Sequence, residues 1–190
     1  MMQIILTHEQ ADFDALASML GASLLHENAI PVLPRRMNRT VRAFLSLYGI
    51  DMQFVDQRDL PAEQVESVIL VDTQSMISLK GMSAQTKVQV IDHHPPRENL
   101  PEGWSVATVD VGATTTILIE ALREHNGTIA PVQATLLLLG IYEDTGSLTY
   151  TRTNARDLRA AAFLLEQGAS LQIANNFLNH PMSLAQQALY

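Results

Sequence analysis

The stretch VQVIDHHP (Val88–Pro95) joins an apolar run to three consecutive ionisable side chains. The run is rich in β-branched residues, which predicts a central strand of a parallel sheet with both faces buried. Asp92, His93 and His94 follow where this strand ends, and two adjacent histidines have little packing rationale at such a position. The stretch therefore predicts an α/β fold and a functional site at the carboxyl end of its sheet.

Three further segments place acids or a histidine beside apolar runs. They are HEQADFDA (His8–Ala15), VDT (Val71–Thr73) and GIYEDTG (Gly140–Gly146). Taken alone, each is more simply interpreted as a helix cap or a turn. Because the carboxyl ends of parallel strands meet at one crevice, the four segments together are expected to converge on one site.

The chain alternates strands and helices in its first half and is helical in its second. Pro31 indicates that its strand lies at a sheet edge or that the strand begins there. The order predicts an α/β fold with a mostly parallel β-sheet flanked by helices. Strands are predicted at residues 4–6, 28–33, 68–71, 88–91 and 106–111, and helices at 14–25, 38–48, 114–124, 131–141, 158–166 and 170–178.

The composition favours a folded protein without cysteine chemistry. Hydrophobic residues make up 47% and charged residues 17% of the 190 residues, which is typical of a globular chain. The formal charge of −8 gives no general attraction to nucleic acid, and the absence of cysteine excludes disulfides and thiolate metal sites. No apolar run approaches the roughly 20 residues of a membrane-spanning helix, and no basic region typical of a signal peptide precedes the first run. A cytoplasmic protein is therefore expected, with no membrane partner.

The acids and histidines of the four segments suit a pair of divalent ions. Imidazole and carboxylate ligands without sulfur favour Mn²⁺, with Mg²⁺ as the alternative. Two ions roughly 3.5–4 Å apart need about three protein ligands each, and one carboxylate can bridge them. The residues that supply this set, with Asp72 shared, are His8, Asp12, Asp14, Asp72, His93 and Asp144.

In their order and spacing, the four segments resemble the motifs of the DHH phosphoesterase superfamily. That superfamily includes single-strand exonucleases, oligoribonucleases, cyclic-dinucleotide phosphodiesterases and family II pyrophosphatases. The resemblance implies that His94 contacts the scissile phosphate and that Asp92 supports the centre from behind; these two are the predicted catalytic residues. It also implies one ion held by His8, Asp12 and Asp72, and a second held by Asp14, Asp72, His93 and Asp144.

The resemblance extends from Thr7 to about Gly168 and also concerns domain organisation. The segments Val32–Arg39 and Gly140–Tyr150 look most like DHH units fused to CBS and tRNA-nucleotidyltransferase-like domains. Family members normally carry a second, glycine-rich domain of the DHHA1 type, which is not recognisable after Gly168. We therefore expect a DHH-type catalytic or metal-binding domain at residues 1–180 and a linker stub at 181–190. Additional domains (DHHA1, CBS or nucleotidyltransferase-like) are expected beyond Tyr190.

The predicted function is two-metal-dependent hydrolysis of a phosphodiester in a nucleotide or short oligonucleotide. Arg35, Arg36, Arg39 and Arg42 form a basic cluster near a predicted helix start, where phosphate binds readily. Arg35 and Arg36 are the predicted substrate contacts beside His94; the alternative is a solvated helix face. Two other functions remain open: pyrophosphate hydrolysis at the same centre, and a non-catalytic metal- or nucleotide-binding module of a larger RNA-processing protein. A dinucleotide-binding Rossmann site is excluded, because no Gly-x-Gly-x-x-Gly follows the first strand.

Overall fold

The computed structural model describes residues 2–125 and 128–178. Its strands are β1 (Met2–Leu6), β2 (Ala29–Leu33), β3 (Val55–Asp56), β4 (Val65–Val71), β5 (Lys87–Asp92) and β6 (Ser105–Thr108). Its helices are α1 (Phe13–Leu25), α2 (Arg39–Tyr48), α3 (Thr114–Glu124), α4 (Pro131–Thr145), α5 (Ala155–Glu166) and α6 (Leu171–Leu178). The predicted linker stub at residues 181–190 lies outside the described residues.

The six strands form one sheet in the order β3-β2-β1-β4-β5-β6, and each neighbouring pair is parallel. The predicted α/β class, a parallel sheet flanked by helices, is confirmed. The bounds differ from the predictions at several elements: β3 was not anticipated, β6 is shorter than residues 106–111, and α4 continues past Ile141 to Thr145. Three elements, β1, β4 and α5, begin two or three residues earlier than predicted. Within the described ranges, no helix is both long and apolar enough to cross a lipid bilayer.

Pro31 lies inside the sheet, and not on its outermost strand. It is the register partner of Ile5 in β1, while on its other side β3 pairs with β2 only at Val32 and Leu33. The short β3 thus begins one residue beyond the proline. A residue without an N–H is tolerated here because the neighbouring ladder has not yet started.

Helices α1 and α3 pack against one face of the sheet. Met19 and Ala22 of α1 and Leu118 of α3 lie against the strand residues Ile5 and Ile69 in one buried cluster. Full burial of a leucine or isoleucine side chain stabilises the fold by roughly 1.5–3 kcal/mol, so these contacts help to hold α1 and α3 on the sheet. The opposite face, in the described chain, is covered by side chains of connecting segments, namely Leu60, Leu79, Met82 and Trp104.

The topology brings the four predicted segments to one edge of the sheet. β1 lies between β2 and β4: β2 and β3 extend the sheet on one side of β1, whereas β4, β5 and β6 extend it on the other. In parallel sheets, ligands bind beyond the carboxyl ends of the strands at such a switch point. His8 follows β1, Asp72 follows β4, and His93 follows β5. The last turn of α4 carries Asp144 to the same edge.

Candidate metal centre

Acidic and imidazole side chains gather at this edge in three groups. Within each group, one ligand atom per residue lies within 4.8 Å of the others. The groups are His8–Asp12–Asp72, Asp14–His93–Asp144 and Asp72–Asp92–His93–His94. All six residues predicted to bind metal fall in the first two groups. These match the two predicted ligand sets, except that the second group does not include Asp72. Their role as ligands stays a prediction.

Asp72 belongs to the first group and also faces His93 of the second. Its Oδ2 is 3.5 Å from His8 Nε2, and its Oδ1 is 3.7 Å from His93 Nε2. The residue is 5% exposed and has a φ of 55°, a left-handed conformation that aspartate tolerates better than most residues. Its main-chain N–H donates to Ile91 O at 3.0 Å, which fixes the turn after β4. The two oxygens of one carboxylate therefore face different groups, as a shared ligand requires.

His93 presents an unpartnered nitrogen to the centre. Its Nδ1 lies 3.3 Å from Val111 O, and because a carbonyl only accepts, Nδ1 carries the proton and Nε2 is left as an acceptor. Nε2 is 3.2 Å from Asp144 Oδ2, but the geometry is not that of a hydrogen bond, and this buried atom has no such partner among the described residues. Leaving a buried polar atom unpaired costs about 1–3 kcal/mol. A divalent cation between Nε2 and the neighbouring carboxylates fits this donor set.

The carboxylates of the centre raise the pKa of both imidazoles that face them. Burial lowers the pKa of His93, but Asp144 and Asp72 outweigh it, and the net pKa is raised. The hydrogen bond between His8 and Asp72 raises the pKa of His8 to about 9, against the effect of burial. His8 Nδ1 is 2.8 Å from Glu9 O, so His8 also turns its Nε2 towards the carboxylates.

Asp14 is held by the start of α3. Its two oxygens accept the main-chain N–H groups of Thr114 at 2.7 Å and Thr115 at 2.9 Å. The residue is fully buried, and burial raises its pKa well above the ordinary value, with further contributions from Asp72 and Asp144. The helix terminus offsets part of this cost. Each carboxylate oxygen has two lone pairs, so Asp14 keeps acceptor capacity for a second partner.

Asp12 is both a helix cap and a candidate metal ligand, although these two roles were treated as alternatives from the sequence. It caps α1 by accepting from Ala15 N at 3.0 Å, and its Oδ1 lies 3.9 Å from His8 Nε2. Burial raises the pKa of Asp12. A helix cap and a metal-facing position are thus compatible at the same residue.

His94 and Asp92 form a pair beside the two groups. Asp92 Oδ1 accepts from His94 Nδ1 at 2.8 Å, and Asp92 Oδ2 accepts from Gln74 Nε2 at 2.8 Å. Burial acts to raise the pKa of Asp92, but the bonds from His94 and Gln74 outweigh it and lower the pKa. The same bond to Asp92 raises the pKa of His94, whose side chain is 52% exposed. Asp92 therefore remains an anion that orients an accessible imidazole.

Thr114 and Gln74 are contacts that the sequence reasoning missed. The hydroxyl of Thr114 donates to Asp72 Oδ1 at 2.8 Å and accepts from His93 N at 3.2 Å. Gln74 also donates to Pro95 O at 3.2 Å, which ties the turn after β5 to the turn after β4. The run of threonines at a predicted helix start was the only sequence feature that pointed to Thr114. No sequence feature pointed to Gln74.

The two predicted substrate contacts, Arg35 and Arg36, differ in their position relative to the candidate metal centre. Arg36 O accepts from Ala11 N at 3.3 Å, so its main chain borders the loop that carries the first motif. Arg35 Nε donates to Gln57 at 3.1 Å, and Arg35 lines a separate cleft of about 810 Å³ with Arg58. Their contact with substrate stays a prediction, and the structure brings only the segment of Arg36 towards the centre.

Glu143 links α4 to α1 within the fourth motif. Its Oε2 accepts from Phe13 N at 2.5 Å. Burial raises the pKa of Glu143 to about 7, with further contributions from Asp12 and Asp144. Glu143 thus fixes the first turn of α1, where two of the candidate ligands lie.

Known proteins are similar to this chain in sequence. Residues 3–141 match the DHH family, N-terminal domain. The A-adding tRNA nucleotidyltransferase of Geobacter sulfurreducens is 36% identical over 197 residues, which cover 99% of this chain and 22% of that protein. The bifunctional oligoribonuclease and PAP phosphatase NrnA of Mycoplasma genitalium is 31% identical over 136 residues, which cover 69% of this chain and 43% of that protein.

A solved structure supports the same fold. The exopolyphosphatase-related protein from Bacteroides fragilis superposes with a TM-score of 0.74 at 16% identity, covering 99% of this chain and 59% of that chain. At this identity the likeness concerns the fold alone. The chain spans about a fifth of the length of the Geobacter protein and less than half of the Mycoplasma protein.

Proposed function

We propose that this chain, which belongs to the DHH family, is a two-metal-dependent phosphoesterase that hydrolyses a phosphodiester of a nucleotide or short oligonucleotide. The observation that carries the proposal is the position of Asp72, whose two oxygens face two imidazole-carboxylate groups. Two relatives, one named as an oligoribonuclease and PAP phosphatase and the other as a tRNA nucleotidyltransferase, support a nucleotide-containing substrate.

The ligand assignment follows the two groups of side chains. Bound divalent ions would lower the pKa of water and offset charge on the phosphoryl oxygens. Two nitrogen ligands among oxygen ligands favour Mn²⁺ over Mg²⁺. One ion would be held by His8, Asp12 and Asp72. The other would be held by Asp14, His93 and Asp144, together with Asp72, whose Oδ1 is 3.7 Å from His93 Nε2.

His94 is the residue proposed to act on the substrate. Because its Nδ1 is bonded to Asp92, Nε2 is the nitrogen available to the phosphate. Water would lose one proton to solvent and bond its oxygen to phosphorus. As the bond to the leaving oxygen breaks, Nε2 would give its proton to that oxygen, and the neutral ring would regain a proton from solvent. Asp92 would hold the ring in place and stabilise its protonated form, which agrees with the raised pKa of His94.

The domain organisation remains part of the proposal. Residues 1–180 would form the catalytic unit, and 181–190 would lead to further domains of the DHHA1, CBS or nucleotidyltransferase-like kind. The coverage of only 22% of the Geobacter protein supports such domains. The same relative favours one alternative, in which this unit binds metal and nucleotide within a larger RNA-processing protein and does no chemistry. Pyrophosphate hydrolysis at the same centre is the other alternative.

A hydrolysis panel separates these functions. The Mn²⁺-loaded chain would be tested on an aryl phosphodiester, short RNA and DNA oligomers, cyclic dinucleotides and pyrophosphate. We expect cleavage of short oligomers that is lost in Asp72→Asn and kept in Arg159→Gln, a control at an exposed position on α5. Cleavage of pyrophosphate alone would replace the proposal with a pyrophosphatase, and metal-dependent nucleotide binding without any cleavage would replace it with the binding module.

A further inference from the structure

A cleft of about 340 Å³ opens beside the candidate centre, on the side of His94. We propose that Arg152 binds a second phosphate of the substrate in this cleft, so that the site selects phosphoesters with another phosphate next to the scissile one. This inference rests on the proposed hydrolase function and names its substrate class. The cleft is lined by His93, His94, Pro95, Pro96, Thr108, Val109, Asp110 and Arg152.

The hydrogen bonding of Arg152 leaves most of its donors available. Arg152 lies between α4 and α5, and its Nη2 donates to His93 O at 3.3 Å. The nearest acid, Asp110, is 3.8 Å from Nη2 and 97% exposed, so solvent weakens that ion pair. A guanidinium has five N–H groups, and its planar fork matches two phosphate oxygens at once. The hydrogen bond to His93 O therefore uses one N–H of Nη2, and the other N–H groups of the guanidinium can bind a ligand.

The charge around the centre explains why a separate cation is needed. The side chains at the centre are carboxylates and imidazoles, so a phosphate beyond the reach of bound ions would meet net negative charge. Among the residues that line the cleft, Arg152 alone carries a permanent positive charge. Arg35, the predicted substrate contact, is bonded to Gln57 and faces a different cleft.

The size and walls of the cleft suit one nucleotide unit. Small-ligand sites have volumes of about 300–1,000 Å³, and this cleft lies at the lower end of that range. Pro95 and Pro96 form a stiff wall without N–H donors, which offers apolar surface to a sugar or base. The cleft adjoins His94, so a ligand there would continue directly from the scissile phosphate.

The test compares two substrates and two matched variants. The substrates are a 5′-phosphorylated dinucleotide and bis(p-nitrophenyl) phosphate, which has no second phosphate. In Arg152→Gln we expect KM for the dinucleotide to rise by about 10–100-fold with little change in kcat. Both constants for the aryl diester should stay within about twofold, and Arg159→Gln should leave both substrates unaffected. Arg152→Lys should recover part of the KM, because it keeps the charge and loses the fork.

Equal losses on both substrates would overturn the inference, because Arg152 would then act only through His93. A binding measurement keeps this outcome apart from failure of the proposed function. Calorimetry on the Mn²⁺-loaded chain would use a non-hydrolysable phosphonate analogue of the dinucleotide, and we expect Arg152→Gln to bind it about 10–100-fold more weakly than wild type. If the wild type cleaves no substrate but binds the analogue more tightly than Arg152→Gln by this factor, the hydrolase proposal is refuted and the phosphate site is supported. Equal binding by both proteins, or no binding by wild type, would refute the phosphate site.

Discussion

Two buried aspartates flank the start of α3 and differ in what surrounds them. Asp14 and Asp157 are both fully buried, and both accept main-chain N–H groups from residues 112–115. Asp157 also accepts from Asn154 N at 2.9 Å and from the hydroxyl of Thr116 at 2.6 Å, and its neighbours are donors. Asp14 has two donors and faces two other carboxylates, which raise its pKa together with burial. Burial alone therefore does not mark a functional acid; unused acceptor capacity and like-charged neighbours do.

The largest expected effect concerns the structural member of this pair. Asp157→Ala should lower the free energy of unfolding by about 3–5 kcal/mol, because it leaves several buried donors at Gly112, Thr116 and Asn154 without an acceptor. Urea unfolding with Mn²⁺ and with chelator measures it. The loss should be the same in both conditions. A loss that Mn²⁺ fully restores would place Asp157 with the metal ligands instead.

The two adjacent histidines test the functional side of the comparison. His93→Ala should lose Mn²⁺ and activity together, since its Nε2 faces the acids. His94→Ala should keep Mn²⁺ and lower kcat by about 10²–10⁴-fold, because it removes the proposed proton donor. Metal content and single-turnover rates, measured side by side, separate the two. Identical behaviour of the two variants would contradict the division of labour.

Asp14→Asn is the matched counterpart of the Asp157 variant. In chelator, Asp14→Asn relieves the crowding of carboxylates but leaves one of the N–H groups of Thr114 and Thr115 without an acceptor, so its melting temperature should fall less than that of Asp157→Ala. In wild type, Mn²⁺ at a hundredfold excess over Kd should add about 2.7 kcal/mol of stability. Differential scanning fluorimetry should show that this gain shrinks in Asp14→Asn. An unchanged Mn²⁺ response would mean that Asp14 is as structural as Asp157.

The positions of the site residues could be predicted from the sequence where those residues lie at the ends of strands. The positions of Asp72 and His93 at this edge were predictable, because each lies within two residues of the end of an apolar, β-branched run typical of a buried strand. Thr114, which donates to Asp72 from 42 positions along the chain, was missed because its contact depends on how α3 docks. Arg152 was missed for the same reason, as it meets the carbonyl of His93 across 59 positions. A two-residue strand such as β3 (Val55–Asp56) is too short to leave a periodic signal.

The smallest expected effect is a pH dependence of the metal-free chain. The native pKa of His8 is raised from 6.5 to about 9, and that of Glu143 from 4.5 to about 7. The native state therefore holds protons that the unfolded chain releases, so stability falls as pH rises through about 7 and then about 9. Urea midpoints from pH 6 to 9.5 in chelator measure this fall. Saturating Mn²⁺ should flatten it, because a cation replaces the proton on His8; a rise in stability with pH in chelator would refute these pKa directions.

The central claim is that Asp72 is shared by two ions, and titration calorimetry with Mn²⁺ tests it most directly. We predict about two Mn²⁺ per wild-type chain, because Asp72 directs one oxygen to each group. Asp72→Asn should weaken both binding events, while Arg159→Gln should leave both unchanged. Two unperturbed sites in Asp72→Asn, or the loss of one site with the other intact, would contradict the shared carboxylate.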